Sequence, residues 1–171
     1  MFFESTLESV ARNVGESAAN VLRDKLQFKE RFSQLKKYPL RDLLTLQTLA
    51  AEQLAPLCSF EEGVSRAAAV AVETFFDSIA GRTMKLLASR EPHRLLGAAP
   101  NAYPLTLNDG STRSCTRVSD THARFVFKND LLGPCYQLGV FHTAVRLSCE
   151  IDSTITIRQT HACDFTFDVN W

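Results

Sequence analysis

The stretch that decides the fold is Cys163–Trp171, "CDFTFDVNW". Phe165, Phe167 and Val169 fall on one side of an extended chain. Asp164, Thr166, Asp168 and Asn170 fall on the other, because successive strand side chains point to opposite faces. A period of two with three apolar residues in phase specifies a strand with one buried face. The same alternation recurs in His122–Lys128, where Ala123, Phe125 and Phe127 share one face and Arg124, Val126 and Lys128 the other. The 163–171 segment is therefore expected to dock into a sheet, and Trp171 to cover the sheet edge or a pocket mouth.

Working outward, "DSTITIRQT" supplies a partner strand across a turn at His161. "YPLTLND", "STRSCTRVSD" and "HARFVFKND" supply three more extended runs, separated at Asp109-Gly110 and Ser119-Asp120. Asp-Gly between two extended runs signals a hairpin. Between the two strand groups, "GPCYQLGVFHTAVRLSCE" changes to helical spacing. Tyr136, Val140, Ala144 and Leu147 form one stripe, and Leu138, Phe141, Val145 and Cys149 a second. Only a narrow polar strip remains at His142, Arg146 and Glu150, so this helix is expected to be buried on more than one side.

The N-terminal half is helical in spacing. Two helices flank Gly15, with Leu22, Leu26 and Phe32 on one side. Pro39 opens a leucine-rich helix that runs to Pro56. Ser59 with Glu62 forms a capping box that starts a long central helix ending at Pro92. Val64, Ala68, Ala71, Val72, Phe75, Ile79 and Leu86 share its apolar face, and the small residues Ala67–Ala71 suit a close helix approach. Gly81 weakens the middle of that helix by about 1 kcal/mol. Pro92–Pro104 reads as a connector, with room for a short helical turn. The chain is thus expected to be one α+β domain over 1–171. Its helical part, about 1–92, packs on an antiparallel sheet of about four to five strands with one inserted helix, within about 103–171.

Composition narrows function. Nineteen basic and nineteen acidic side chains cancel, so composition carries no footprint for nucleic acid or an anionic membrane. Twelve phenylalanines point to a large apolar interior or pocket. Five cysteines without a CxxC pair read as reduced thiols, not a disulfide framework. No signal peptide and no membrane-spanning run of about 18 apolar residues is recognisable, so the protein is expected in the cytoplasm. Four histidines lack metal-ligand spacing, and no acid–base pair stands at a recognisable interval. Catalytic residues, metal and cofactor are therefore all expected to be none. Cys135, in the first turn of a helix, reads first as a plain buried thiol; it is also the one cysteine to watch for acylation or oxidation, because a helix dipole lowers a thiol pKa. Asp77 and Arg82 are expected near each other on the central helix, as an ion pair or carbonyl cap, or with Arg82 anchoring an acidic ligand group at a pocket rim. Arg124 and Lys128 are expected to be solvated, as are His122 and His161 in turns.

The succession "FESTLE", "YPL", "AVETFFDSIAGR", "GVFHTAVRLS" and a strand ending in tryptophan resembles an uncharacterised paralogous family of myxobacterial proteins, a domain of unknown function. Gly81-Arg82 and Trp171 are its most specific features. The layout is also similar to a wider fold group that includes haem–nitric oxide sensing domains, four-vinyl-reductase domains and vesicle-tethering (TRAPP) subunits. That resemblance implies an apolar pocket between helices and sheet, lined by Phe75, Ile79, Phe125, Phe127, Phe141, Phe165 and Phe167, with Arg82 at its rim. The alternative is that these residues pack on one another. Haem sensors of this group need a histidine before the sheet and a Tyr-x-Ser-x-Arg motif. His93 stands near the first position, but "FVFKND" lacks the second, so haem is not expected. The resulting expectation is a non-enzymatic ligand-binding, sensory or regulatory domain that takes an apolar small molecule or lipid. The alternative is a homodimeric scaffold or adaptor for a protein partner. An enzyme assembled from Asp77, Arg82, His142 and Arg146 ranks below both.

Overall fold

The computed structural model describes residues 2–26, 39–106 and 109–171. Phe32 lies outside them. The elements run α1 (Phe2–Val14), α2 (Glu16–Lys25), α3 (Leu40–Leu54), α4 (Phe60–Asp77), α5 (Ile79–Ala88), α6 (Pro92–Thr106), β1 (Thr112–Ser119), β2 (His122–Lys128), α7 (Gly133–Cys149), β3 (Thr154–His161) and β4 (Asp164–Asn170). The class is α+β, with α7 inserted between two hairpins. All pairings in the four-stranded sheet are antiparallel, and the strand order is β1-β2-β4-β3.

β4 is thus an interior strand. Phe167 pairs with Phe125 of β2 on one side and Ile157 of β3 on the other, and Phe165 pairs with Phe127. This register puts the three apolar residues of "DFTFDVN" on the same face as the β2 phenylalanines, as the alternation requires. Trp171 follows directly. Its backbone N–H donates to the Thr121 carbonyl at 3.1 Å, and its ring stands edge-on to His93, with centroids 4.6 Å apart.

The chain forms two compact units. The first comprises Met1–Phe75 with Cys135–Val140. Its helices bury Leu7, Val10, Leu22, Leu43, Leu46 and Leu54. α4 is approached closely at two glycines. A Cβ on Gly63 would stand 3.1 Å from the Ala51 Cα in α3, and one on Gly139 would stand 2.1 Å from the Ser65 carbonyl oxygen. Ala67, Ala68 and Ala71 of α4 are buried.

The second unit comprises Phe76–Pro134 with Phe141–Trp171. Here the structure departs from the sequence reading at five places. The long central helix is two helices. Ser78 is extended (φ −75°, ψ 161°), and its Oγ accepts the Gly81 N–H at 3.1 Å, so Gly81-Arg82 lies in the first turn of α5. The Pro92–Pro104 connector is helical, and "YPLT" is the last turn of α6, not a strand. Pro100 and Pro104 stand four apart, so their missing N–H groups lie on one face of the helix. Asp109-Gly110 accordingly joins α6 to β1. Gly110 has φ 72°, and the Asp109 carboxylate accepts the Ser111 N–H at 3.0 Å. The β1–β2 hairpin turns at Asp120-Thr121, and the β3–β4 turn falls at Ala162-Cys163, after His161 pairs with Asp164.

Candidate functional site

The sheet's apolar face is built from β2 and β4 with α7. Phe125, Phe127, Phe165 and Phe167 are almost completely buried, as is Phe141 of α7. Phe127 stacks on Phe165 at 4.5 Å, and Phe141 meets Phe125 edge-on at 4.8 Å and Phe167 at 5.5 Å. These five nominated pocket residues come together, and they touch one another. Phe75 is half-buried at the end of the first unit. Ile79 is 88% exposed and Arg82 is exposed, both on α5, apart from the five rings. Asp77 ends α4 and is also exposed, and among the described residues no ion pair joins it to Arg82.

The helical unit holds a different kind of feature. Ser5, Thr6 and Ser9 of α1, Gln47 of α3, and Tyr136 and Gln137 of α7 are all buried polar side chains in that unit. Ser9 Oγ and Gln47 Nε2 are fully buried and find no hydrogen-bond partner among the described residues. An unsatisfied buried polar atom costs about 1–3 kcal/mol unless a guest satisfies it. Sequence reasoning missed both. Ser9 continues a polar edge with Ser5, Glu8 and Arg12, and Gln47 interrupts a leucine run. Either reads as a solvated position until neighbouring helices cover it.

Two charged clusters hold the sheet unit together. Asp168 accepts from His122 Nε2 at 2.8 Å, from Arg124 Nε at 2.8 Å and from Arg158. Burial pushes the Asp168 carboxyl up, but hydrogen bonds from Arg124, His122 and Arg158 outweigh it and hold the group at about 2. His122 and Arg124, expected to be solvated, are therefore part of a network, and Lys128 pairs with Asp164 at 3.2 Å. Arg113 is buried between Asp109 and Asp130, at 2.7 Å from each, with its guanidinium 4.1 Å over the Tyr103 ring. Asp130 also accepts the Leu132 N–H at 3.0 Å at the start of α7. Burial drives the Asp130 carboxyl up, against the pull of Arg113.

Of the residues considered for catalysis, His142 and Arg146 meet in a half-open polar groove of about 280 Å³ with Thr143, Asp152 and Ser153. Asp77 and Arg82 lie on other elements, and the four do not form a cluster. Burial and then the Arg146 charge lower the His142 pKa. Cys135 behaves as a plain, partly buried thiol. Burial, followed by the negative charge of Glu61, raises its thiol pKa, so desolvation wins over the helix dipole. Burial also lifts Cys115 and Cys149 to about 11. Among the described residues no group of three or more His, Cys, Asp or Glu could hold a metal ion, and no helix is long and apolar enough to cross a membrane.

Among the described residues, the seven helices and the four-stranded sheet form the fold of H-NOX domains. An oxygen-binding H-NOX domain related to soluble guanylate cyclases, solved as its oxygen complex, superposes with TM-score 0.74 at 9% identity, over 97% of this chain and 89% of that one. The ferrous unliganded H-NOX protein from K. algicida gives 0.74 at 14% identity, over 99% and 94%. A structure concerned with haem redox potential and porphyrin distortion gives 0.77 at 8% identity, over 98% and 96%. Identities this low establish the fold alone. The chain itself belongs to the family described as "Protein of unknown function (DUF2378)", matched over residues 1–171. No curated protein matches it.

The four histidines lie on four different elements, α6, β2, α7 and β3. His93 precedes the sheet; its Nε2 donates to the Asp120 carbonyl at 3.0 Å, and Trp171 packs on its ring. His122 is held by Asp168. His142 lines the polar groove, with Nδ1 3.4 Å from Ser153 Oγ, and His161 is exposed at the end of β3.

Proposed function

We propose that the chain is a non-enzymatic sensory or regulatory domain that binds a small, largely apolar molecule carrying a polar group, without haem. The observation that carries this reading is the pair of buried, unpaired atoms Ser9 Oγ and Gln47 Nε2 in the helical unit. Ligand pockets are mostly apolar with a few placed polar anchors, and these two atoms supply one hydroxyl and one amide donor for a guest. The H-NOX-like fold supports the same reading, since one neighbour is named as oxygen-binding. The four phenylalanines of the sheet and Phe141 of α7 pack on one another, and in this reading they are structural support.

Native mass spectrometry of the purified protein tests this directly. The expected result is a bound small molecule that is lost in Ser9→Ala and Gln47→Leu, together with an absorption spectrum free of a Soret band. A Soret band would overturn the haem-free reading. Repeatedly empty protein, with both substitutions raising stability, would show that the two atoms are simply unsatisfied and would overturn the ligand reading.

A further inference from the structure

α5 is anomalous among the described helices. Ile79, Leu86 and Leu87 are 88%, 78% and 70% exposed on a helix of ten residues. The helix turns its small residues, Gly81 and Ala88, inward and its large aliphatic ones outward. At 3.6 residues per turn, Ile79, Thr83, Leu86 and Leu87 fall on one side and form a ridge. Arg82 and Lys85 stand along its flank, exposed, and make no ion pair among the described residues. No acidic residue occurs between Asp77 and Glu91. The whole chain is formally neutral, so composition conceals this local excess of positive charge.

We propose that α5 is a docking surface for an anionic lipid bilayer, lying in the interface with its aliphatic ridge among the acyl chains and Arg82 and Lys85 at the headgroups. Charge complementarity selects the occupant. A second copy docking through the same ridge would set Arg82 and Lys85 against their own equivalents. Thr83, in the middle of the ridge, donates its hydroxyl to the Ile79 carbonyl at 2.9 Å, so the ridge presents no unpaired donor to the acyl chains. An apolar face flanked by cations, on a helix too short to span, has the pattern of a segment that lies on a membrane. The surface is independent of the proposed ligand site, which belongs to α1 and α3.

Co-sedimentation with phosphatidylcholine vesicles, with and without phosphatidylserine, decides the matter. Two cations near the surface should make binding to the anionic vesicles roughly thirtyfold tighter than to neutral ones. High salt should remove that preference. Leu86→Glu should abolish binding with an unchanged circular dichroism spectrum, because the side chain makes no core contact. The double substitution Arg82→Gln with Lys85→Gln should leave weak binding that ignores lipid charge and salt. Equal partition into both vesicles, no partition into either, or undiminished binding by Leu86→Glu would overturn the proposal. So would self-association in light scattering that Leu86→Glu alone removes, which would assign the ridge to a second copy.

Discussion

Asp168 shows how a single residue on the outward side of a strand can matter. The alternation in β4 places it away from the phenylalanines, where a lone aspartate would be solvated and inconsequential. Here three donors from β2 and β3 converge on it, and its carboxyl is held at about 2 against a model-peptide 3.8. A depressed folded-state pKa means that the ionised form is preferred in the fold. The stabilisation is therefore complete above pH 3.8 and is lost as pH falls toward about 2. Asp168→Asn should lower stability at neutral pH and flatten the fall in stability across that acid window, as read by chemical denaturation at a series of pH values. The size of the effect is modest, because Arg124 and Arg158 are substantially exposed and solvent screens their attraction. Asp130 runs the other way. Its raised pKa contributes stability that fades as pH rises, so it cannot be the source of acid lability.

At the scale of elements, the close crossing of α4 and α7 within the helical unit depends on one missing methyl group. A Cβ on Gly139 would sit 2.1 Å from a backbone oxygen, where no side chain can yield. Gly139→Ala should therefore destabilise by about 1–3 kcal/mol or more, despite improving helix propensity. Gly97→Ala, whose Cβ meets nothing within 4 Å, should be neutral or slightly stabilising in the same thermal melt. The amphipathic spacing of β2, β4 and α7 was legible because each pattern is long and has one period. The break at Ser78 was not, because a serine cap inside a continuing apolar stripe leaves the helical period intact on both sides. α6 was obscured by its prolines, which read as breakers one at a time and are tolerated when their missing donors share a face. The phenylalanine cluster was legible from alternation. The buried Ser9 and Gln47 were not, because their burial comes from neighbouring helices, which no local pattern encodes.

At the scale of the whole molecule, the strand order makes the C-terminal stretch a structural centre of the sheet unit. β4 lies between β2 and β3, and Phe167 faces Phe125, Phe127, Phe141 and Phe165 in a single aromatic cluster. Removing its ring leaves a cavity that four other rings, already locked against one another, cannot collapse to fill. Phe167→Ala should cost about 3–5 kcal/mol, a large share of the roughly 5–15 kcal/mol that keeps a domain folded. Trp171→Ala should cost less. The indole is half-exposed, and the backbone bond to Thr121 survives the substitution. Urea denaturation of the two variants separates the effects: the midpoint should fall far for Phe167→Ala and only slightly for Trp171→Ala, with Phe165→Ala grouping with the former. A Phe167→Ala midpoint close to that of the parent protein would mean that the cluster relaxes freely. The aromatic face would then have to be regarded as a compliant lining able to open for a ligand, and not as the packed support that the ring distances describe.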